Sequence, residues 1–110
     1  MTFTLAAIII DAADPEMEGA FWQRLLGGSI TRTGNHHFVV ADGVPPFVIQ
    51  RAPGHIPPAW PHDGTQQMHV DLTTDDLASA ERAALDAGAR RLADRVYASP
   101  AGHPFCLRSA

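Results

Sequence analysis

Six histidines and a single cysteine are the side chains of this 110-residue sequence best suited to chemistry. Imidazole exchanges protons near neutral pH or ligates metals, and a thiolate is a nucleophile or a soft metal ligand. His69 lies in Met68-His69-Val70-Asp71-Leu72, which alternates like a half-buried strand. It therefore points away from Met68 and Val70 and shares a face with Gln67 and Asp71. Two roles fit it: an acid–base or hydrogen-bonding group lining a site, or a core histidine satisfied by Gln50 or backbone. His69 is the candidate catalytic residue. Cys106 stands between Phe105 and Leu107, a setting in which a thiol behaves as a small hydrophobe. With one cysteine there is no intrachain disulfide and no set of thiolates for a structural zinc.

The remaining histidines are less well placed. His36 and His37 open a predicted strand after Gly34-Asn35, so they point to opposite faces, cannot jointly grip one metal, and are expected at the surface. His55, Trp60 and His62 fall in a proline-rich stretch, where they form a lid, a dimer contact, or a loop whose Trp60 covers core. Asp14 is read as a helix cap, and Arg90, Arg91 and Arg95 as a solvated basic face.

The elements that position these groups are legible from patterning. Leu5 to Asp11 is a β-branched run. Asp14-Pro15 with Glu16 and Glu18 starts a helix along Met17, Phe21 and Leu25, with Phe21 inward and Trp22 on a flank or interface, and Gly27-Gly28 stops it. Ser29–Thr33, His36–Ala41 and Phe47–Gln50 are three further strands, separated by turns at Gly34-Asn35 and Asp42-Gly43. Prolines and glycines then deny regular structure to residues 52–66. The order repeats: strand Met68–Leu72, a helix capped from Thr74-Asp75-Asp76 along Leu77, Ala80, Ala84 and Ala87, and strands Arg91–Val96 and Phe105–Arg108 with the middle strand short or absent. Neither half can bury a sheet alone, so one domain spans residues 1–110: a first βαβββ module over about 3–51, a linker over about 52–66, and a second module over about 67–110.

Lys and Arg number 8 against 12 Asp and Glu, a net charge of −4, which argues against a nucleic-acid partner. The N-terminal residues lack a signal peptide's positive region, and Asp11 closes the apolar run after Ile10, so neither a leader nor a membrane partner is expected. Cytoplasm is the expected location.

Leu5 to Gly28, with Asp11-Ala12-Ala13-Asp14-Pro15 and Phe21-Trp22-Gln23-Arg24-Leu25-Leu26-Gly27, resembles the opening of the glyoxalase, bleomycin-resistance and extradiol-dioxygenase (vicinal oxygen chelate) superfamily, in its glyoxalase-like domain branch. Met68-His69-Val70-Asp71-Leu72 and Gly102-His103-Pro104-Phe105-Cys106-Leu107 resemble that branch's later motifs. The resemblance implies an α+β fold of two βαβββ modules forming an open, U-shaped mixed sheet around a cleft, helices outside, in a homodimer. It also implies four metal-ligand positions, which fall on Ala7, Gln50, His69 and Cys106. Ala7 has no donor and Gln50 only a neutral carbonyl, so no metal and no other cofactor is expected. The expected function is metal-independent binding or sequestration of an apolar or aromatic small molecule. The ligand contacts are Gln50, His69, Cys106, Phe38, Phe47 and Trp60, with Ile9, Val40 and Ile49 also walling the cleft. The alternative is a metal-dependent lyase, isomerase or dioxygenase using His69 with replacement ligands such as His103 or His62; whether the chain is an enzyme stays open.

Overall fold

The computed structural model describes residues 1–60, 65 and 67–110. It divides into two compact units, Met1–His55 and Ile56–Ala110. Each is a βαβββ module with one four-stranded mixed sheet and one helix. The fold is α+β.

In the first unit the strands are β1 (Ile8–Ala12), β2 (Ser29–Thr33), β3 (His36–Val40) and β4 (Phe47–Arg51), with helix α1 (Pro15–Leu26) between β1 and β2. The sheet order is β1-β4-β3-β2, with β1 parallel to β4 and the other pairs antiparallel. Asp14 caps α1 by accepting the Met17 N–H at 3.1 Å, and Pro15 takes the first turn, where no amide donor is needed. The helix stops where Gly27 turns to φ 77° and donates its N–H to the Gln23 carbonyl at 2.8 Å. Gly28 is required for a second reason: at φ +82° a Cβ would run into the Val40 carbonyl oxygen.

Register sorts the first sheet into two faces. Ile8 pairs with Phe47, Ile10 with Ile49, Val39 with Phe47 and His37 with Ile49, so these side chains share the face toward α1. Phe21 and Trp22 are both buried at 1% exposure, their rings edge-to-face at 5.2 Å, and Trp22 also packs on Phe47 at 4.9 Å. Trp22 is therefore core, not flank. It tolerates that position because the fully buried Glu18, one turn earlier, accepts its indole N–H at 2.9 Å. His37 is also a correction to the sequence expectation: it is buried beneath α1, with Nδ1 3.7 Å from Glu16 Oε2. Arg32 clamps the same carboxylate through Nε at 2.9 Å, and this pairing holds Glu16 below the usual carboxylate range.

The second unit contains β5 (Val70–Thr74), α2 (Leu77–Ala87), β6 (Arg90–Ala93), β7 (Val96–Ala98) and β8 (Pro104–Ser109), in sheet order β5-β8-β7-β6. Asp76 caps α2, accepting the Ser79 N–H at 3.1 Å and the Ser79 hydroxyl at 2.8 Å. Gly88 ends it in the left-handed region. The run expected as one strand over Arg91–Val96 is a hairpin, because Arg95 adopts φ 62° and reverses the chain after Asp94. Tyr97 and Phe105 stack at 5.4 Å on the α2 side, where the buried helix residue is only an alanine, Ala84. The start of the proline-rich stretch is anchored here, since Pro57 lies where a Cβ on Gly102 would be.

Candidate functional site

The two residues singled out for chemistry in the second unit come together. Asp71 pairs with Cys106 across the parallel β5–β8 ladder, so both side chains project from the face opposite α2, and His69 precedes Asp71 by two residues on that face. Donor atoms of His69, Asp71 and Cys106 all lie within 4.8 Å of one another. His69 Nε2 is 3.2 Å from Asp71 Oδ1, and Arg108 Nη1 donates to Asp71 Oδ2 at 3.2 Å. Asp71 is thus the hub. His69 and Asp71 are exposed and Cys106 is half-buried. Burial pushes the Cys106 thiol up; the charge of Asp71 and its readiness to accept the S–H push it further, while Arg108 opposes. The thiol is held protonated, the opposite of an activated nucleophile.

From the sequence, Asp71 shares a face with His69 but has no expected role, and neither does Arg108. Both were findable: a His-x-Asp alternation on a strand aims two donors one way, and a parallel partner with the same alternation adds Cys106 and Arg108.

The corresponding face of the first unit is different. Ile9 pairs with Val48, Asp11 and His36 with Gln50, and Phe38 with Val48, so Ile9, Val48, Phe38 and Gln50 look away from α1. Ile9 is 58% and Val40 48% exposed, and Phe38 is half-buried with the His36 ring 6.2 Å away. Phe47, expected as a ligand contact, and Ile49, expected to wall the cleft, instead face α1; the strand register sits one residue off the expected facing, and Val48 occupies their place. Gln50 is exposed on the face away from the helix. Trp60 is half-buried. Of the replacement ligands, His103 lies in the β7–β8 turn, its N–H donating to Ser99 Oγ at 3.0 Å, and is not one of the clustered donors. His62 lies outside the described residues.

The two units can be aligned on their caps, because Asp14 and Asp76 each stand six residues after the first paired residue of the preceding strand, Ile8 and Val70. His69, Asp71, Cys106 and Arg108 then correspond to Ala7, Ile9, Val48 and Gln50. Three of those four first-unit residues are aliphatic.

Residues 7–108 match the family model of the glyoxalase-like domain. The chain belongs to that family, within the vicinal oxygen chelate superfamily. Among solved structures, a glyoxalase/bleomycin resistance protein/dioxygenase family enzyme from Burkholderia phytofirmans PsJN superposes with a TM-score of 0.73 at 13% identity, over 94% of this chain and 96% of that one. The fosfomycin resistance protein FosX from Listeria monocytogenes gives 0.71 at 13% identity, over 100% and 95%. TnmS3, an antibiotic binding protein from Streptomyces sp. CB03234, gives 0.63 at 14% identity, over 98% and 96%. At these identities the likeness is one of fold. A search of curated proteins finds no match.

The residues present do not fit the four-position metal centre that the resemblance implies. Ala7 offers no donor atom, Gln50 offers a neutral oxygen, and the face around Ile9 and Val48 is aliphatic. Only the second unit supplies ionisable donors at family positions, His69 and Cys106.

Proposed function

We propose that this protein binds or sequesters an apolar or aromatic small molecule, and that it does so without the four-position metal centre. The observation that carries the reading is the apolar face of the first sheet, Ile9 and Val40 exposed with the half-buried Phe38 beside them, in a unit whose Ala7 offers a metal no donor. Support also comes from TnmS3, whose name as an antibiotic binding protein attaches binding to this fold. Ile9, Phe38 and Val40 are the proposed apolar contacts. Gln50, His69, Cys106 and Trp60 are proposed ligand contacts on the family resemblance, with His69 the candidate acid–base group should there be turnover. The setting we propose is a single-domain protein acting as a cytoplasmic homodimer, with neither nucleic acid nor membrane as partner; among the described residues no helix is long and apolar enough to cross a membrane.

The test is a thermal-shift screen of chelator-treated protein against polycyclic aromatic antibiotics and smaller phenols. A ligand at a hundred times its Kd stabilises by about 2.7 kcal/mol, so a true hit raises Tm by several degrees. Absence of any shift across the panel, with shifts appearing only after metal addition, overturns the reading.

A second reading, a metal-dependent lyase, isomerase or dioxygenase, is favoured by the gathering of His69, Asp71 and Cys106. Turnover of hemithioacetal, epoxide or catechol substrates by metal-loaded protein alone would establish it over the first.

A further inference from the structure

We infer that the first sheet selects a flat aromatic cation, an ammonium group carried on a fused-ring body, with the rings over Ile9, Val48 and Phe38 and the charge at Asp11. This rests on the proposed binding function and adds to it the sign and place of the ligand's charge, which neither functional reading assigns.

Register lays two rows side by side across the face away from α1. Ile9, Val48 and Phe38 are successive partners on β1, β4 and β3, and two residues along each strand Asp11, Gln50 and His36 are successive partners in the same order. One row is apolar and the other polar. Three neighbouring strands span about 10 Å, and positions two residues apart along a strand are separated by about 7 Å. A three-ring body laid along the apolar row therefore covers it, and an ammonium one methylene from the rings reaches the polar row. The His36 ring, 6.2 Å from that of Phe38, extends the surface on which the rings stack.

Charge sets the class. Asp11 is the only acidic residue in the four strands of the first unit, and it is exposed. Their two arginines lie on the other face, Arg32 paired with His37 and clamped to Glu16, and Arg51 paired with Ala12. A carboxylate beside the Gln50 amide oxygen offers acceptors to an N–H donor and repels an anion. The second unit makes the opposite choice at the matched place: Thr73 stands where Asp11 does and Arg108 where Gln50 does, so the row changes sign between the units.

The test is fluorescence titration of chelator-treated full-length protein with three probes that share one body: the aminomethyl, hydroxymethyl and carboxylate derivatives of anthracene. The expected order of affinity is ammonium, alcohol, carboxylate, with about 5-fold between ammonium and alcohol. Only the ammonium should weaken as salt is raised, because only its binding uses an attraction between charges. Asp11→Asn should bring the ammonium down to the level of the alcohol and leave the alcohol unchanged. Gln50→Glu, which adds a second carboxylate to the row, should tighten the ammonium and weaken the carboxylate. If Asp11→Asn does not fold, the wild-type order and its salt dependence decide alone. Equal affinity for ammonium and alcohol, tightest binding of the carboxylate, or unchanged ammonium affinity in folded Asp11→Asn would each overturn the charge assignment and leave the binding proposal standing. Binding of none of the three also overturns it, and the wider thermal-shift panel then decides the binding proposal separately.

Discussion

The two units share one chain path and divide its tasks. In the first, α1 brings Phe21, Trp22 and Glu18 onto the sheet, and the opposite face is mostly apolar around Ile9, Phe38 and Val48. In the second, α2 buries a single alanine, and the opposite face gathers His69, Asp71, Cys106 and Arg108. The same register therefore supports a packing-rich module and a chemistry-rich one. A backbone ladder fixes which positions face which way, and side-chain identity at four matched positions decides what the face does.

The largest way to break this contrast is Trp22→Ala, which gives the first unit the residue that Ala84 already supplies in the second. Loss of the Phe21 and Phe47 ring contacts and the cavity left behind should cost about 3–5 kcal/mol. Urea unfolding should show a much lower midpoint. Glu18→Ala removes the buried acceptor of the Trp22 indole N–H, and an unpaired buried donor costs about 1–3 kcal/mol; the same urea series measures it. Asp14→Ala, at the α1 cap, should cost about 1 kcal/mol.

The α2 cap adds a pH dependence. The Ser79 N–H and hydroxyl hold Asp76 below its ordinary range. A depressed folded-state pKa stabilises above the unfolded value and fades as pH falls through the folded one. Asp76→Ala should therefore flatten the acid limb of the stability profile and leave its shape near neutrality unchanged. A smaller effect sharpens the chemical side: Asp71→Asn removes a charge that, after burial, holds the Cys106 thiol up, and leaves only a neutral amide acceptor, so its alkylation midpoint should move to lower pH. Unchanged alkylation would separate Cys106 from Asp71.

Much of the fold was legible because its signals are local. Asp14-Pro15 and Asp76 mark helix starts, Gly27 and Gly88 their ends, and Gly34-Asn35 a hairpin, each through backbone demands that few residues meet. The misreadings turn on information that is not local or on local signals weaker than these. Strand facing over Phe47–Gln50 depends on which partner residue each meets, and the sequence does not print a register. Trp22 reads as a flank residue until Glu18 is seen to satisfy its indole N–H. The Asp94–Arg95 turn lacks a glycine, so Arg91–Val96 reads as continuous. His69 and Cys106 were found from the sequence, but their meeting through Asp71 needs the parallel β5–β8 ladder, which joins residues far apart in the chain.

Calorimetric titration of metal-stripped protein with a thermal-shift hit, comparing wild type with Ile9→Asp and Asp71→Asn, tests the central claim most directly. The account predicts binding in the absence of metal, with a negative heat-capacity change from apolar burial. It also predicts at least 10-fold weakening in Ile9→Asp and a smaller loss in Asp71→Asn, because Asp71 acts only through the proposed contact His69, 3.2 Å away. Binding that requires added metal, or that survives Ile9→Asp unchanged, would contradict it.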